Sequence, residues 1–132
     1  MKKWTLSFVF TLLTIFSFSQ VNLDLKDELE GKLSLSEETL LDQADEFLQT
    51  REFLSALPLY DSLLKKFPDN NYLAYLLGTC YCYDAHKFTL AEINILRAKD
   101  FRQRLPDYDF FLGKAYYEND KFDQAIASFE SY

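Results

Sequence analysis

A chain of 132 residues with a formal net charge of -7 has the length of one ordinary domain and an excess of acidic over basic side chains. Hydrophobic residues make up 48% of the chain and glycine occupies only three positions, which argues against a disordered protein. Nucleic acid and anionic lipid headgroups are not expected partners, because a chain of this charge repels both.

Residues 1–19 have the pattern of a secretory signal peptide. A positive start, Lys2-Lys3, precedes an uncharged and mostly apolar run from Trp4 to Phe18. Small residues stand three positions and one position before Gln20, which predicts cleavage there. The run is shorter than the roughly 20 residues that cross a bilayer, so no membrane span is expected in the mature chain. The protein is therefore predicted to be exported, either periplasmic or associated with the outer membrane.

Residues 20–36 are predicted to form an N-terminal extension or linker. The alternation of apolar and polar residues from Val21 to Leu25 is typical of a strand. The four-residue spacing of Leu25, Leu29 and Leu33 is instead typical of a helix face. Both alternatives stay open at this level.

A pattern with a period of 34 or 35 residues covers residues 37–132 and predicts three units, residues 37–70, 71–105 and 106–132. Each unit holds a small residue followed three positions later by an aromatic one. The pairs are Ala44 and Phe47, Gly78 and Tyr81, and Gly113 and Tyr116. A period of this length indicates stacked units of helices, each of which buries its apolar side against the next.

Each unit is predicted to be two helices joined by a turn. The first helix should begin near residue 36, where Ser34 and Glu37 can form a capping box and Ser36 is a competing N-cap. Pro58 is expected to bend the second helix. The last helix is still running at Tyr132, so we expect the chain to be part of a longer protein. The predicted helices are Glu37–Gln49, Glu52–Phe67, Asn71–Tyr83, Phe88–Phe101, Tyr108–Asn119 and a last one from Lys121.

The order of small and bulky residues resembles the tetratricopeptide repeat. The first unit carries the pattern at Ala44, Phe47, Ala56, Tyr60, Leu63 and Pro68, and the second at Gly78, Tyr81, Ala91, Ile95 and Ala98. The third carries it at Leu112, Gly113, Tyr116, Ala125 and Phe129. The resemblance implies an all-α fold, a right-handed superhelix of antiparallel helix hairpins with about three units, the last incomplete. It also implies a role as a platform for protein interactions.

Two longer stretches, Ala56 to Tyr81 and Phe110 to Tyr132, resemble the N-terminal repeats of Bacteroidota envelope proteins. In those proteins the repeats precede a beta-propeller-like region and a peptidoglycan-binding domain similar to that of outer membrane protein A. This resemblance implies association with peptidoglycan or the outer membrane through sequence beyond Tyr132.

In the tetratricopeptide repeat family, set positions of each first helix line a concave groove. Carried over to this sequence, the predicted partner-binding residues are Tyr72, Tyr75, Thr79, Tyr83, Phe110, Lys114 and Tyr117. Tyrosine and phenylalanine offer large contact areas, which suits binding of a peptide. The alternative is that these tyrosines pack against a neighbouring unit or against the N-terminal extension. The Lys and Asn with which some relatives hold a C-terminal carboxylate are replaced here by Leu41 and Asp45.

No catalytic, cofactor or metal site is predicted. Cys80 and Cys82 are two residues apart in a helix, so they point in different directions and cannot bridge each other. His86 is the only histidine and lies in a predicted turn without a nucleophile nearby. The carboxylates around the third unit are expected to be solvated.

The sequence therefore predicts a non-enzymatic scaffold of the bacterial cell envelope that binds a protein or peptide through an aromatic groove. One alternative is an accessory module of a longer envelope enzyme or peptidoglycan-binding protein. Another is a self-assembly module that stacks on a second copy at Phe129.

Overall fold

The computed structural model describes residues 25–132. The predicted signal peptide, its cleavage site and residues 20–24 of the extension lie outside the described residues. The chain divides into two compact units between Lys32 and Leu33. In the described part of the first unit, residues 25–30 are helical, which confirms the helical alternative for that segment.

The second unit is built of helices, and residues 25–132 contain no β-strand. Each helix packs against the next one along the chain, so consecutive helices form hairpins. The predicted all-α fold of helix hairpins is confirmed. The helices are α1 (Leu35–Gln49), α2 (Phe53–Lys66), α3 (Asn71–Tyr81), α4 (Phe88–Leu96), a 3₁₀ helix (Lys99–Arg104), α5 (Tyr108–Glu118) and α6 (Phe122–Ser131).

Helix α1 begins at the predicted capping box. The Glu37 N–H donates to Ser34 Oγ at 3.4 Å, and the Ser34 N–H donates to Glu37 Oε2 at 2.9 Å. These bonds satisfy amide groups that have no partner within the helix. The competing N-cap, Ser36, lies inside the helix. Pro58 lies inside α2, which continues to Lys66 although proline supplies no N–H at that position.

The glycines of the second and third units stand where two helices cross. A Cβ atom at Gly78 would lie 2.8 Å from Ile95 Cγ1 and 3.0 Å from the Ile95 nitrogen. A Cβ atom at Gly113 would lie 2.7 Å from Cε1 of Phe129. Because glycine has no Cβ atom, α3 can contact α4 this closely, and α5 can contact α6 this closely.

Helix α3 is buried on every side. All residues from Leu73 to Tyr81 are buried, whereas a helix on the surface of a protein buries one stripe only. Neighbouring helices cover it in both directions along the chain, α2 before it and α4 after it.

In the first hairpin, the Tyr60 hydroxyl is buried and donates to Asp45 Oδ1 at 2.6 Å.

The second helix of the middle unit is shorter than predicted. It ends at Leu96 and a 3₁₀ helix follows, whereas the apolar spacing predicted one helix to Phe101. Arg97 donates to Asn71 Oδ1 at 3.2 Å and to the Pro68 carbonyl, which holds this end of α4 against the start of α3. Arg102 forms an ion pair with Asp109 of α5 at 2.9 Å. These contacts tie the segment after Leu96 to α3 and α5 at the place where the chain changes from an α-helix to a 3₁₀ helix.

The turns of the first and third hairpins contain a residue in left-handed conformation. Arg51 has φ 62° and Asp120 has φ 60°, and these are the only non-glycine residues of the described chain with positive φ. They occupy corresponding positions of their units. The turn of the middle unit, residues 82–87, is three residues longer than each of the other two and reverses the chain without such a residue, since Ala85 keeps a negative φ.

Replacing Arg51 with glycine is expected to stabilise the protein by about 0.5–1 kcal/mol, because glycine adopts positive φ without the clash that a Cβ atom causes. The matched control is Ala85→Gly in the middle turn. It should destabilise by a similar amount, because glycine there adds only flexibility to the unfolded chain. Urea denaturation followed by circular dichroism measures both, and equal effects of the two substitutions would contradict the prediction.

Candidate functional site

The seven predicted groove residues lie in two rows, which together we call the groove face. Tyr72, Tyr75 and Thr79 are on α3 with Tyr83 just after it, and Phe110, Lys114 and Tyr117 are on α5. The two rows adjoin, because the Tyr75 ring stacks with Tyr108 of α5 at a centroid distance of 6.1 Å. In addition, Cys82 Sγ donates to the carbonyl of Phe111 at 3.5 Å.

Two members of the groove face are buried. Tyr75 is 6% exposed and Thr79 is 2% exposed, and the Thr79 hydroxyl donates to the Leu76 carbonyl at 2.7 Å. Burial raises the pKa of Tyr75 well above its ordinary value. For Tyr75 the structure therefore shows packing against the neighbouring unit, which was the alternative interpretation of these tyrosines. Tyr72 is half-buried.

Tyr83 and Lys114 meet at the centre of the groove face. Tyr83 is 37% exposed, and its ring stacks flat on Phe53 with centroids 3.9 Å apart. Lys114 Nζ lies 5.0 Å from the centre of the Tyr83 ring and 3.3 Å from Glu118 Oε1. This arrangement is a cation–π contact combined with an ion pair. The sequence gave no sign of the contact between Phe53 and Tyr83, since the two are 30 residues apart.

The last two members of the groove face, Phe110 and Tyr117, belong to the third unit. Phe110 is half-buried, and its ring lies 5.3 Å from Phe111 and 5.6 Å from Tyr132. Tyr117 is 56% exposed and meets the edge of Phe122 at 5.6 Å. Both rings can therefore present carbon surface to a partner. The place of Tyr132 beside Phe110 follows from the packing of α6 on α5.

Carboxylates border the groove face. Glu118 pairs with Lys114 at 3.3 Å. Asp107 is exposed and accepts the Tyr132 hydroxyl at 3.2 Å. Because the Tyr132 ring lies 5.6 Å from Phe110, this bond places the Asp107 carboxylate close to the groove face.

The cysteines and the histidine of residues 25–132 differ in exposure. Cys80 and Cys82 are buried free thiols, and burial raises the pKa of each to about 12. Such thiols are protonated at neutral pH and are poor nucleophiles. His86 is exposed in the turn after α3, where its N–H donates to Asp84 Oδ1 at 3.1 Å. Across residues 25–132, no group of histidine, cysteine and carboxylate side chains is placed to hold a metal ion.

No helix within residues 25–132 is both long enough and apolar enough to cross a bilayer. The helix hairpins can be compared with known families. Residues 41–98 match the model of the tetratricopeptide repeat family, a segment that begins within α1 and ends just after α4. The match supports a tetratricopeptide repeat protein, and such repeats are generally non-catalytic modules for protein–protein interaction. No curated protein matches the chain.

Proposed function

We propose that this chain of tetratricopeptide repeats is a non-enzymatic scaffold of the bacterial cell envelope that holds a protein or peptide partner along the groove face. One observation carries the proposal. The rings of Tyr83, Phe110 and Tyr117 retain accessible surface beside α3, although the body of that helix is fully buried. Aromatic side chains with accessible rings are typical anchors of protein interfaces, because they bury a large area with little loss of rotamer freedom.

The test compares two pairs of exposed side chains. Tyr83→Ala with Tyr117→Ser removes rings from the groove face, and Leu54→Ser with Ile93→Ser removes exposed apolar side chains from the second helices α2 and α4. Partners cross-linked to the wild type in envelope extract should be lost with the first double variant and retained with the second. Equal retention by both would refute binding at the groove face.

The envelope location is part of the same proposal and is supported by the leader pattern of residues 1–19. Cell fractionation followed by N-terminal sequencing tests it. The protein should be recovered from the periplasmic or outer-membrane fraction with Gln20 as its first residue. An intact N terminus in the cytoplasmic fraction would exclude export.

Self-assembly is a second candidate, favoured by the surface of α6. Phe122, Ile126, Phe129 and Tyr132 recur at helical spacing and are all exposed, forming one apolar stripe. A stripe of this kind is a common site of association. Sedimentation equilibrium would show a mass that rises with concentration in the wild type, and Ile126→Lys should abolish the rise. A constant monomer mass would eliminate this candidate.

The remaining alternative is an accessory module of a longer envelope enzyme or peptidoglycan-binding protein. It depends on sequence beyond Tyr132, where an enzymatic domain would favour it over the scaffold proposal.

A further inference from the structure

We propose that the groove face selects a basic peptide segment, and that a lysine or arginine of this segment binds between Tyr83 and Glu118 in place of Lys114. The inference rests on the proposed function and specifies the chemical class of its partner. Two observations carry it: the position of the Lys114 ammonium group, and the charge along the border of the groove face.

Lys114 marks a site that fits a cation. Its Nζ lies over the Tyr83 ring at 5.0 Å and beside Glu118 Oε1 at 3.3 Å. The ring is held in place from below, because it stacks on Phe53 at 3.9 Å. An aromatic face with a carboxylate beside it is a favourable arrangement for an ammonium or guanidinium group. Both Lys114 and Glu118 are partly exposed, so a side chain arriving from solvent can reach the same position.

The charges along the border of the groove face are the electrostatic reason to expect a basic segment. Asp107 and Glu118 are acidic, Lys114 and Arg51 are the basic side chains whose charges act on Tyr83, and the whole chain has a formal net charge of -7. The Asp107 carboxylate lies 3.2 Å from the hydroxyl of Tyr132, whose ring is 5.6 Å from Phe110, and the Glu118 carboxylate lies 3.3 Å from Lys114 Nζ. A basic segment would therefore meet complementary charge, whereas an acidic segment would be repelled.

The experiment uses three fluorescein-labelled nine-residue peptides that share alternating leucines and differ only in the residues between them, which are lysine, glutamine or glutamate. Fluorescence anisotropy at low and physiological salt measures their affinities for the protein. The lysine peptide should bind at least about tenfold more tightly than the glutamate peptide, and the difference should shrink with added salt.

Variants of the protein test whether the lysine peptide binds at the position of Lys114. Lys114→Gln should strengthen binding of the lysine peptide about two- to fivefold, because the incoming cation no longer competes with the internal one. Glu118→Gln and Tyr83→Ala should each weaken it. The matched control is Lys65→Gln on α2, which changes the net charge equally and breaks another pair at spacing i, i+4, since Lys65 lies 2.7 Å from Asp61. Circular dichroism confirms that every variant folds.

Two patterns of binding would overturn the inference. One is similar affinity for all three peptides; if this binding is lost in Tyr83→Ala, the groove is used but does not select basic segments, and the proposed function survives. The other is an equal effect of Lys114→Gln and Lys65→Gln, which would show a general charge effect in place of a site. Absence of binding by the lysine peptide also rejects the inference.

Discussion

Gly78→Ala is expected to lower the free energy of unfolding by about 1–3 kcal/mol, whereas Gly113→Ala should change it by less than about 1 kcal/mol in either direction. Alanine favours a helix interior by about 1 kcal/mol relative to glycine, and this gain is the same at both sites. The difference must therefore come from what the added methyl group meets.

At Gly78 the methyl group meets backbone. The Ile95 nitrogen would be 3.0 Å away and the Ala91 carbonyl oxygen 3.2 Å away, so α3 and α4 would have to separate. At Gly113 it meets only the ring of Phe129, a side chain that is 41% exposed and can rotate away. A close contact that a single side chain can relieve costs less than one that shifts a whole helix.

Urea denaturation of the two variants, side by side with the wild type, measures the difference. Equal destabilisation at both sites, or a stabilised Gly78→Ala variant, would show that the crossing of α3 and α4 is looser than described. The Gly113→Ala result also serves as the control for helix propensity, since both glycines lie in the interior of a first helix.

Alkaline unfolding is the second large effect. Burial raises the pKa of Cys80, Cys82 and Tyr108 to about 12, from reference values of 9.0 for the thiols and 10.0 for the phenol. A raised pKa in the folded state means that the folded protein holds its proton more tightly than the unfolded chain does. The stability that these groups contribute is complete below about pH 9 and is lost as the pH rises toward about 12.

The two thiols alone should remove on the order of 5 kcal/mol by about pH 11, since each loses about 1.4 kcal/mol per pH unit above its unfolded pKa. This loss is comparable to the whole stability of a small domain. Far-ultraviolet circular dichroism between pH 7 and pH 11.5 should therefore show cooperative loss of helix.

The matched variant is Cys80→Ala with Cys82→Ala. Its stability at pH 7 is expected to be lower, because two buried side chains become smaller. Its stability should nevertheless fall less steeply between pH 9 and pH 11 than that of the wild type. A wild type that keeps its helix to pH 11.5, or two identical pH dependences, would show that the thiols are not held protonated by burial.

The sequence predicted correctly the features that depend on residue types at fixed spacings along the chain. The capping box of Ser34 and Glu37 was predicted and is present, because it involves residues three positions apart. The period of 34 or 35 residues predicted stacked units of helices, and the resemblance to the tetratricopeptide repeat implied the all-α fold of hairpins. The small residues Gly78 and Gly113 recur at the same position of their units, and both lie where two helices make close contact.

Predictions from local spacing were wrong where side chains bind groups in another helix. The apolar spacing of Phe88 to Ala98 predicted a helix to Phe101, yet Arg97 and Arg102 bind groups in other helices and the chain changes to a 3₁₀ helix. Burial of α3 on all sides was also not predicted, although a signal existed. No charged residue occurs from Asn71 to Tyr83, and a helix without a polar face is typically buried all round.

The groove face shows most clearly which features the sequence determined and which depended on the tertiary structure. By itself, the sequence determined which residues share a side of α3 and which share a side of α5, since helical spacing fixes that geometry. Only the tertiary structure decided that Tyr75 is covered by Tyr108, whereas Tyr83 stays accessible beside Lys114. The physical reason is that exposure depends on side chains brought from elsewhere in the chain, and their distances are set by the packing of whole helices.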